Sequence, residues 1–252
     1  MNKYISFCLG CVIMVLLPLT PLHAQVIESP RSYAYLVRYD KSHTLMRQGR
    51  DFNVVDIDIE WPVVIDSTKV TPLQQQIAAT VLMSDNADYD TSKHSFLARF
   101  GIPVTEKLDS LPYDRHFCYV DASAKIKSYS PGRYIVYQLD CKISPQPLST
   151  QQAADNHLVC VYDLHTQKIR SLADLMKTYQ LQSSGDSPLI SLLTSVLSDD
   201  EYNSLQSVEV QSVWPEDSLV GMRVRYGFDN GGYTSELKMR YDYAKSVLTK
   251  QY

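Results

Sequence analysis

Apolar and polar residues alternate along this chain with two different periods. Val55, Ile57, Ile59 and Trp61 alternate with Asp56, Asp58 and Glu60, giving one greasy face and one acidic face. A period of two predicts an antiparallel strand that covers a core on one side only, with Pro62 weakening its ladder. The period then lengthens. Thr71-Pro72-Leu73-Gln74 supplies an N-cap, a first-turn proline and a capping-box glutamine, and Leu73, Ile77, Val81 and Leu82 continue as a helical stripe. A shorter helix is predicted over Ser92–Phe100, stopped by Gly101 and Pro103.

Other stretches read mostly as strands. Tyr33–Arg47 is rich in β-formers around a break at Asp40-Lys41-Ser42. His116–Tyr129 and Arg133–Ile143 flank the turn Ser130-Pro131-Gly132, and Leu158–Leu164 follows a polar loop over Ser144–Asn156. Ser171 caps a helix through Leu172, Leu175 and Met176, and Leu189–Leu197 predicts another. Val208–Val213, Leu219–Phe228 and Ser235–Tyr241 are the last strands. Asp229-Asn230-Gly231-Gly232 marks a hairpin turn, and Tyr243–Leu248 a terminal helix. Strands following one another directly predict an α+β fold, a mainly antiparallel sheet with helices packed on one face. Leu111-Pro112 offers a division into two subdomains, 25–112 and 113–252.

The N-terminus changes the picture of where such a body resides. Lys3, the apolar run Ile5–Leu17, Pro18, Pro21 and then Leu22-His23-Ala24 follow the order of a secretory signal peptide over residues 1–24. Cleavage after Ala24 would start the mature chain at Gln25, and an uncleaved anchor is the minority alternative. Cys11 sits too early in the greasy run to be a lipidation site. The expectation is therefore export to the periplasm or cell surface, with no stable membrane insertion after cleavage.

Export permits disulfides. Cys8 and Cys11 leave with the signal, so Cys118, Cys141 and Cys160 remain. Cys141 and Cys160, on two predicted strands joined by a loop, are the preferred pair; three buried thiols are the equal alternative. Lys and Arg total 24 against 28 Asp and Glu, for a net charge of −4, which leaves no electrostatic footprint for nucleic acid.

Candidate chemistry is sparse. Asp56, Asp58 and Glu60 share a strand face, where solvation is the simplest role for them. The acidic loop Asp85–Asp90 lacks the Gly and bidentate Glu of an EF-hand. The histidines His43, His94, His116, His157 and His165 fall at no zinc-binding spacing, and nucleophile elbows and phosphate loops are absent. The sequence thus assigns no catalytic residue, no cofactor and no metal. An envelope hydrolase assembled only in three dimensions, around His157, His165 and Cys160, is the alternative. Of 18 tyrosines, many fall on or beside predicted strands, where they serve sheet packing or a binding face. Tyr226, Asp229, Asn230 and Tyr233, around the last hairpin, are the candidate partner-binding residues.

Short segments carry a resemblance. Leu158-Val-Cys-Val-Tyr-Asp-Leu-His-Thr-Gln-Lys-Ile-Arg-Ser-Leu-Ala-Asp-Leu175 resembles a strand, turn and helix start that marks the extracellular domain of lysozyme-sensing anti-sigma factors. The same domain accompanies some peptidoglycan deacetylases and many exported bacterial proteins. Ile57–Pro62 with the following helix is similar to that family's opening, and Ser235–Leu248 to its closing strand and helix. Gln167 stands in place of a turn glycine, and Tyr226–Tyr233 lacks the family's Pro-Tyr-Glu-Ile-Ala segment. The resemblance implies the α+β fold without a ligand surface. Together with the signal, it leads to the expectation of an exported, non-catalytic binding module of the bacterial cell envelope, contacting a protein or a glycan.

Overall fold

The protein is a computed structural model that describes residues 26–28, 35–108, 111, 117–147, 149–176, 180–182, 193–229, 231–245 and 248–249. The signal segment, Asn230 and residues 189–192 of the predicted helix 189–197 lie outside the described residues.

Among the described residues, seven strands and a short annex build the larger sheet. They are β1 (Val26–Glu28), β2 (Tyr35–Gln48), β3 (Asp51–Ile65), β5 (Phe117–Ser130), β6 (Tyr134–Pro145), β7 (Ala154–Asp163) and β8 (Lys168–Arg170), in that spatial order, with β4 (Ile102–Pro103) paired to β2. Four strands form the smaller sheet, ordered β12 (Gly231–Arg240), β11 (Leu219–Phe228), β10 (Leu205–Glu216) and β9 (Gln180–Gln182). Among the described residues all ladders are antiparallel except β3 with β5. That parallel pair needs a crossover, and helices α1 (Thr71–Val81) and α2 (Tyr89–Ala98) lie within it.

The alternation seen in the sequence of β3 is the alternation of its burial: Val55, Ile57, Ile59 and Trp61 are each at most 4% exposed. They join Leu73, Ile77, Ala78 and Val81 of α1 and Phe96 of α2 in one core. Ile135, Tyr137, Leu139 and Cys141 of β6 face the same core, while the intervening Tyr134 and Val136 face a second one. That second core holds Val159 and Val161 of β7 with Val210, Trp214, Met222 and Tyr226 of the smaller sheet. The two strands are thus covered on both faces, by helices on one side and by the smaller sheet on the other.

Several expectations change here. The helices do not share one face, because Leu175 of α3 (Leu172–Leu175) and Ala244 of α5 (Tyr241–Ala244) belong to the second core. β3 and β5, on either side of the expected division at 112, pair in one sheet. Asp40 does not break its strand; β2 runs through it without interruption. The N-cap of α1 is Val70, with no side-chain cap, and Gln74 donates instead to Pro62 O at 2.8 Å, tying the helix start to β3. By contrast, Ser171 and Asp174 do form a reciprocal capping box on α3. Ser198 and Glu201 form another on α4 (Asp199–Asn203), a helix the sequence pattern did not predict.

Gly221 sets the contact between the sheets' layers. It lies opposite Trp214 in the β10–β11 ladder, and a Cβ there would fall 2.1 Å from the indole. With no side chain in the way the fully buried indole lies over the glycine, and Lys127 of β5 caps it at 4.3 Å. Lys127 Nζ also reaches Glu236 at 2.7 Å, and Ser128 Oγ donates to Pro215 O at 2.6 Å. These contacts join the two sheets.

Candidate functional site

Beyond the seam, the face of the larger sheet that meets the smaller one turns polar. On β6 the residues after Tyr134 and Val136 on that face are Gln138 and Asp140; on β7 the residues before Val161 and Val159 are His157 and Asp155. Opposite them stands the polar face of β10, β11 and β12. Arg223 lies in register with Ser212 and Glu236, and Arg225 with Thr234. A β-bulge at Gln211 shifts the ladder between Val210 and Ser212 and brings both Gln211 and Ser212 to the same opening. The resulting cleft of about 480 Å³ runs between β7 and the smaller sheet.

A continuous hydrogen-bonded string crosses it. Asp140 and His157 are direct cross-strand partners, and the Asp140 carboxylate is bonded to His157 Nδ1. His157 Nε2 meets Arg223 NH1 at 2.7 Å. Since a guanidinium can only donate, Nε2 must be the acceptor and Nδ1–H the donor to Asp140, which fixes the neutral imidazole tautomer. Gln138 Nε2 donates to Asp140 at 3.0 Å, and Arg223 Nε donates to Gln211 Oε1 at 3.4 Å. Burial would raise the Asp140 pKa, but the bonds from His157 and Gln138, with the nearby Arg223 charge, bring it below the ordinary carboxylate value.

The string holds the two sheets at a fixed spacing, and it leaves His157 without a free nitrogen. Ser212 completes an Asp–His–Ser set by residue type, yet its Oγ makes no hydrogen bond, and the Nε2 lone pair it would need is taken by Arg223. Ser212 is 9% exposed, and its orphaned hydroxyl costs about 1–3 kcal/mol unless something in the cleft satisfies it.

The residues singled out from the sequence are scattered. Cys160 sits on β7 three positions from His157, so the two side chains leave opposite faces of the strand, and Cys160 packs in the helix-side core. His165 lies in the exposed turn after β7. The cluster His157, His165 and Cys160 therefore does not assemble. The Cys141–Cys160 bridge is also absent. Cys141 lies opposite Asn156 and Cys160 opposite Tyr137, four residues apart along the ladder. That is about 13 Å, well past disulfide reach. Cys118, Cys141 and Cys160 are buried free thiols; burial pushes the Cys141 thiol up to about 11 and the Cys160 thiol to about 12, so both stay protonated and unreactive.

In the last hairpin, Tyr226 is buried and its OH donates to Leu193 O at 2.9 Å, which withdraws it from any partner surface. Asp229 accepts from Gln206 at 2.7 Å, and Tyr233 is 43% exposed, stacked with Phe228. The acids of β3 are paired as well as solvated: Asp56 with His43, Asp58 with Lys125, and Glu60 with the Ile126 amide. In the acidic loop, Asp88 caps α2 and Asp90 grips Arg38, so those carboxylates are committed locally. Among the described residues there is no group of three or more His, Cys, Asp or Glu suited to a metal, and no helix long and apolar enough to cross a membrane.

Sequence reasoning missed Asp140, Arg223 and Ser212. The signal was the cross-strand register, which places Asp140 beside His157 but is invisible until β6 and β7 are known to pair.

No protein-family model matches the chain, and no curated protein does. Among solved structures, the chain is similar to a DUF3298 family protein from Pseudomonas aeruginosa PAO1, with 16% identity, a TM-score of 0.49, and coverage of 86% of this chain and 95% of that one.

Proposed function

We propose that the protein is an exported, non-catalytic binding module of the bacterial cell envelope, and that the cleft between β7 and the smaller sheet is where it contacts its protein or glycan partner. One observation carries this reading. The cleft gathers cationic, hydroxyl and amide groups, while its histidine is locked between Asp140 and Arg223, an arrangement built for holding a ligand and poorly suited to moving protons. The signal-like N-terminus and the resemblance to extracellular envelope domains support the location.

The test has two readouts. Expressed from the complete chain in a bacterial host, the protein is expected in the periplasm with Gln25 as its first residue. It is also expected to be retained by purified peptidoglycan, by lysozyme or by an envelope-protein fraction. Cytoplasmic recovery of an uncleaved chain, or retention by none of the three, contradicts the proposal.

A further inference from the structure

The two arginines of the cleft are not equivalent. Arg223 is engaged within the protein, by His157 through NH1 and by Gln211 through Nε. Arg225, two positions along the same face of β11, is exposed, and among the described residues it has neither an ion pair nor a hydrogen bond. Glu209 is its cross-strand neighbour on β10, but no ion pair forms between them. Beside it stands a second unsatisfied group, the nine-tenths buried Ser212 Oγ. A free guanidinium fork thus borders the opening, and behind it lies an orphaned hydroxyl, shielded from solvent, that a turn of the Ser212 side chain would bring to the same opening.

The charge balance narrows what fits. Within the lining itself Arg223 and Arg225 against Asp155 leave one net positive charge, with Asp140 bonded to His157 behind it and Glu209 across the ladder from Arg225. A single anionic group neutralises it, whereas a phosphate dianion would meet only one uncommitted guanidinium and the Asp155 carboxylate. One planar fork matches one planar carboxylate through two parallel hydrogen bonds. Leu158 and Val159 supply an apolar strip, and Thr234, Gln211 and Asp155 supply donors and acceptors around it. That mixture suits a sugar ring, with its C–H face and ring of hydroxyls, and the cleft volume admits one or two rings.

We infer that the cleft binds the carboxylate of an acidic sugar in an envelope glycan. Arg225 grips the carboxylate, Ser212 turns its Oγ outward to donate to the same group, and Asp155 accepts from ring hydroxyls. The inference rests on the envelope-binding reading and names the ligand class of that same site.

Calorimetric titration of the protein from the complete chain tests it. The probes are N-acetylmuramic acid and glucuronic acid, with neutral N-acetylglucosamine and inorganic phosphate as controls. At least one acid should bind, and both controls should bind about tenfold more weakly or not at all. Which acid binds separates a cell-wall glycan from a uronic-acid polymer. Arg225→Ala should lose about tenfold or more. Arg225→Lys should lose nearly as much, because an ammonium cannot form the fork, and Ser212→Ala about fivefold. Binding of neither acid, equal binding of phosphate or of the neutral sugar, or indifference to Arg225→Ala overturns the inference. Peptidoglycan retention that survives Arg225→Ala overturns this inference alone and leaves the envelope-binding reading standing. Failure on peptidoglycan, lysozyme and envelope proteins alike removes the reading itself.

Discussion

The two faces of the larger sheet are finished differently. On the helix side, β3, β5, β6 and β7 press a continuous apolar surface against α1 and α2, with Ile57, Ile59, Leu73, Ile77 and Phe96 at most 1% exposed. On the other side, apolar contact is confined to one end of β6 and β7, and the strands then pass into the string Asp140–His157–Arg223 and the open cleft. Both faces contain orphaned hydroxyls. All three are shielded from solvent, but those of Tyr137 and Tyr162 lie in the helix-side core, whereas Ser212 is one of the residues lining the cleft. The same kind of imperfection is a packing cost on one side and an unused donor on the other. The closed apolar core lies where the helices are, and the proposed ligand would sit where the smaller sheet leaves a gap.

The largest separation between the faces should come from Ile77→Ala. This truncation in the helix-side core is expected to cost about 2–5 kcal/mol in denaturant unfolding. Ligand retention by the folded fraction should be unchanged, and a selective loss of retention would break the division of labour.

Gly221→Ala attacks the seam. Its Cβ would collide with the Trp214 indole, and about 1–3 kcal/mol of destabilisation is expected as the indole is displaced. Because the indole helps set the spacing of the sheets, this variant should lose ligand retention as well as stability, which Ile77→Ala should not.

Acid should act on the flank of the helix side. Asp40, buried within β2, accepts from Tyr89 OH at 2.7 Å and pairs with Lys93 at 2.6 Å. Burial works to raise its pKa, but the bonds from Lys93 and Tyr89 win and hold it below the ordinary carboxylate value. A depressed folded-state pKa contributes stability that is full above the unfolded value of about 4 and is lost as pH falls through the folded one. The melting temperature should therefore fall below about pH 4. Asp40→Asn, less stable at pH 7, should show a shallower fall over that window.

The smallest pair of effects sharpens the comparison of the orphans. Tyr137→Phe and Ser212→Ala each remove an unsatisfied buried hydroxyl, so each should be neutral or stabilising by about 1 kcal/mol in thermal unfolding. Only Ser212→Ala should weaken sugar binding.

What the sequence discloses and what it hides follow from range. The strand at Val55–Trp61, the helix at Leu73–Val81 and the strand at Leu219–Phe228 are legible because period and turn chemistry are local. Gln167 is instructive in the same way, since it adopts a φ of 55° at a turn position where glycine is easier, and the turn forms regardless. The parallel pairing of β3 with β5 is not legible, because it depends on which edge the chain returns to after α1 and α2. The same holds for the cleft. His157 can be noticed as a lone histidine, but Arg223 is 66 residues away and Asp140 becomes its neighbour only through strand register. Cys160 looked close to His157 in sequence, and strand parity turned it to the opposite face.

The most direct test is a crystal structure of the protein soaked with N-acetylmuramic acid and, in parallel, glucuronic acid. Density for a sugar between β7 and the smaller sheet, its carboxylate on Arg225 and within hydrogen-bond distance of Ser212 Oγ, is the predicted result. A cleft that stays empty while the sugar binds elsewhere, or a sugar in the cleft with its carboxylate turned away from Arg225, would contradict it.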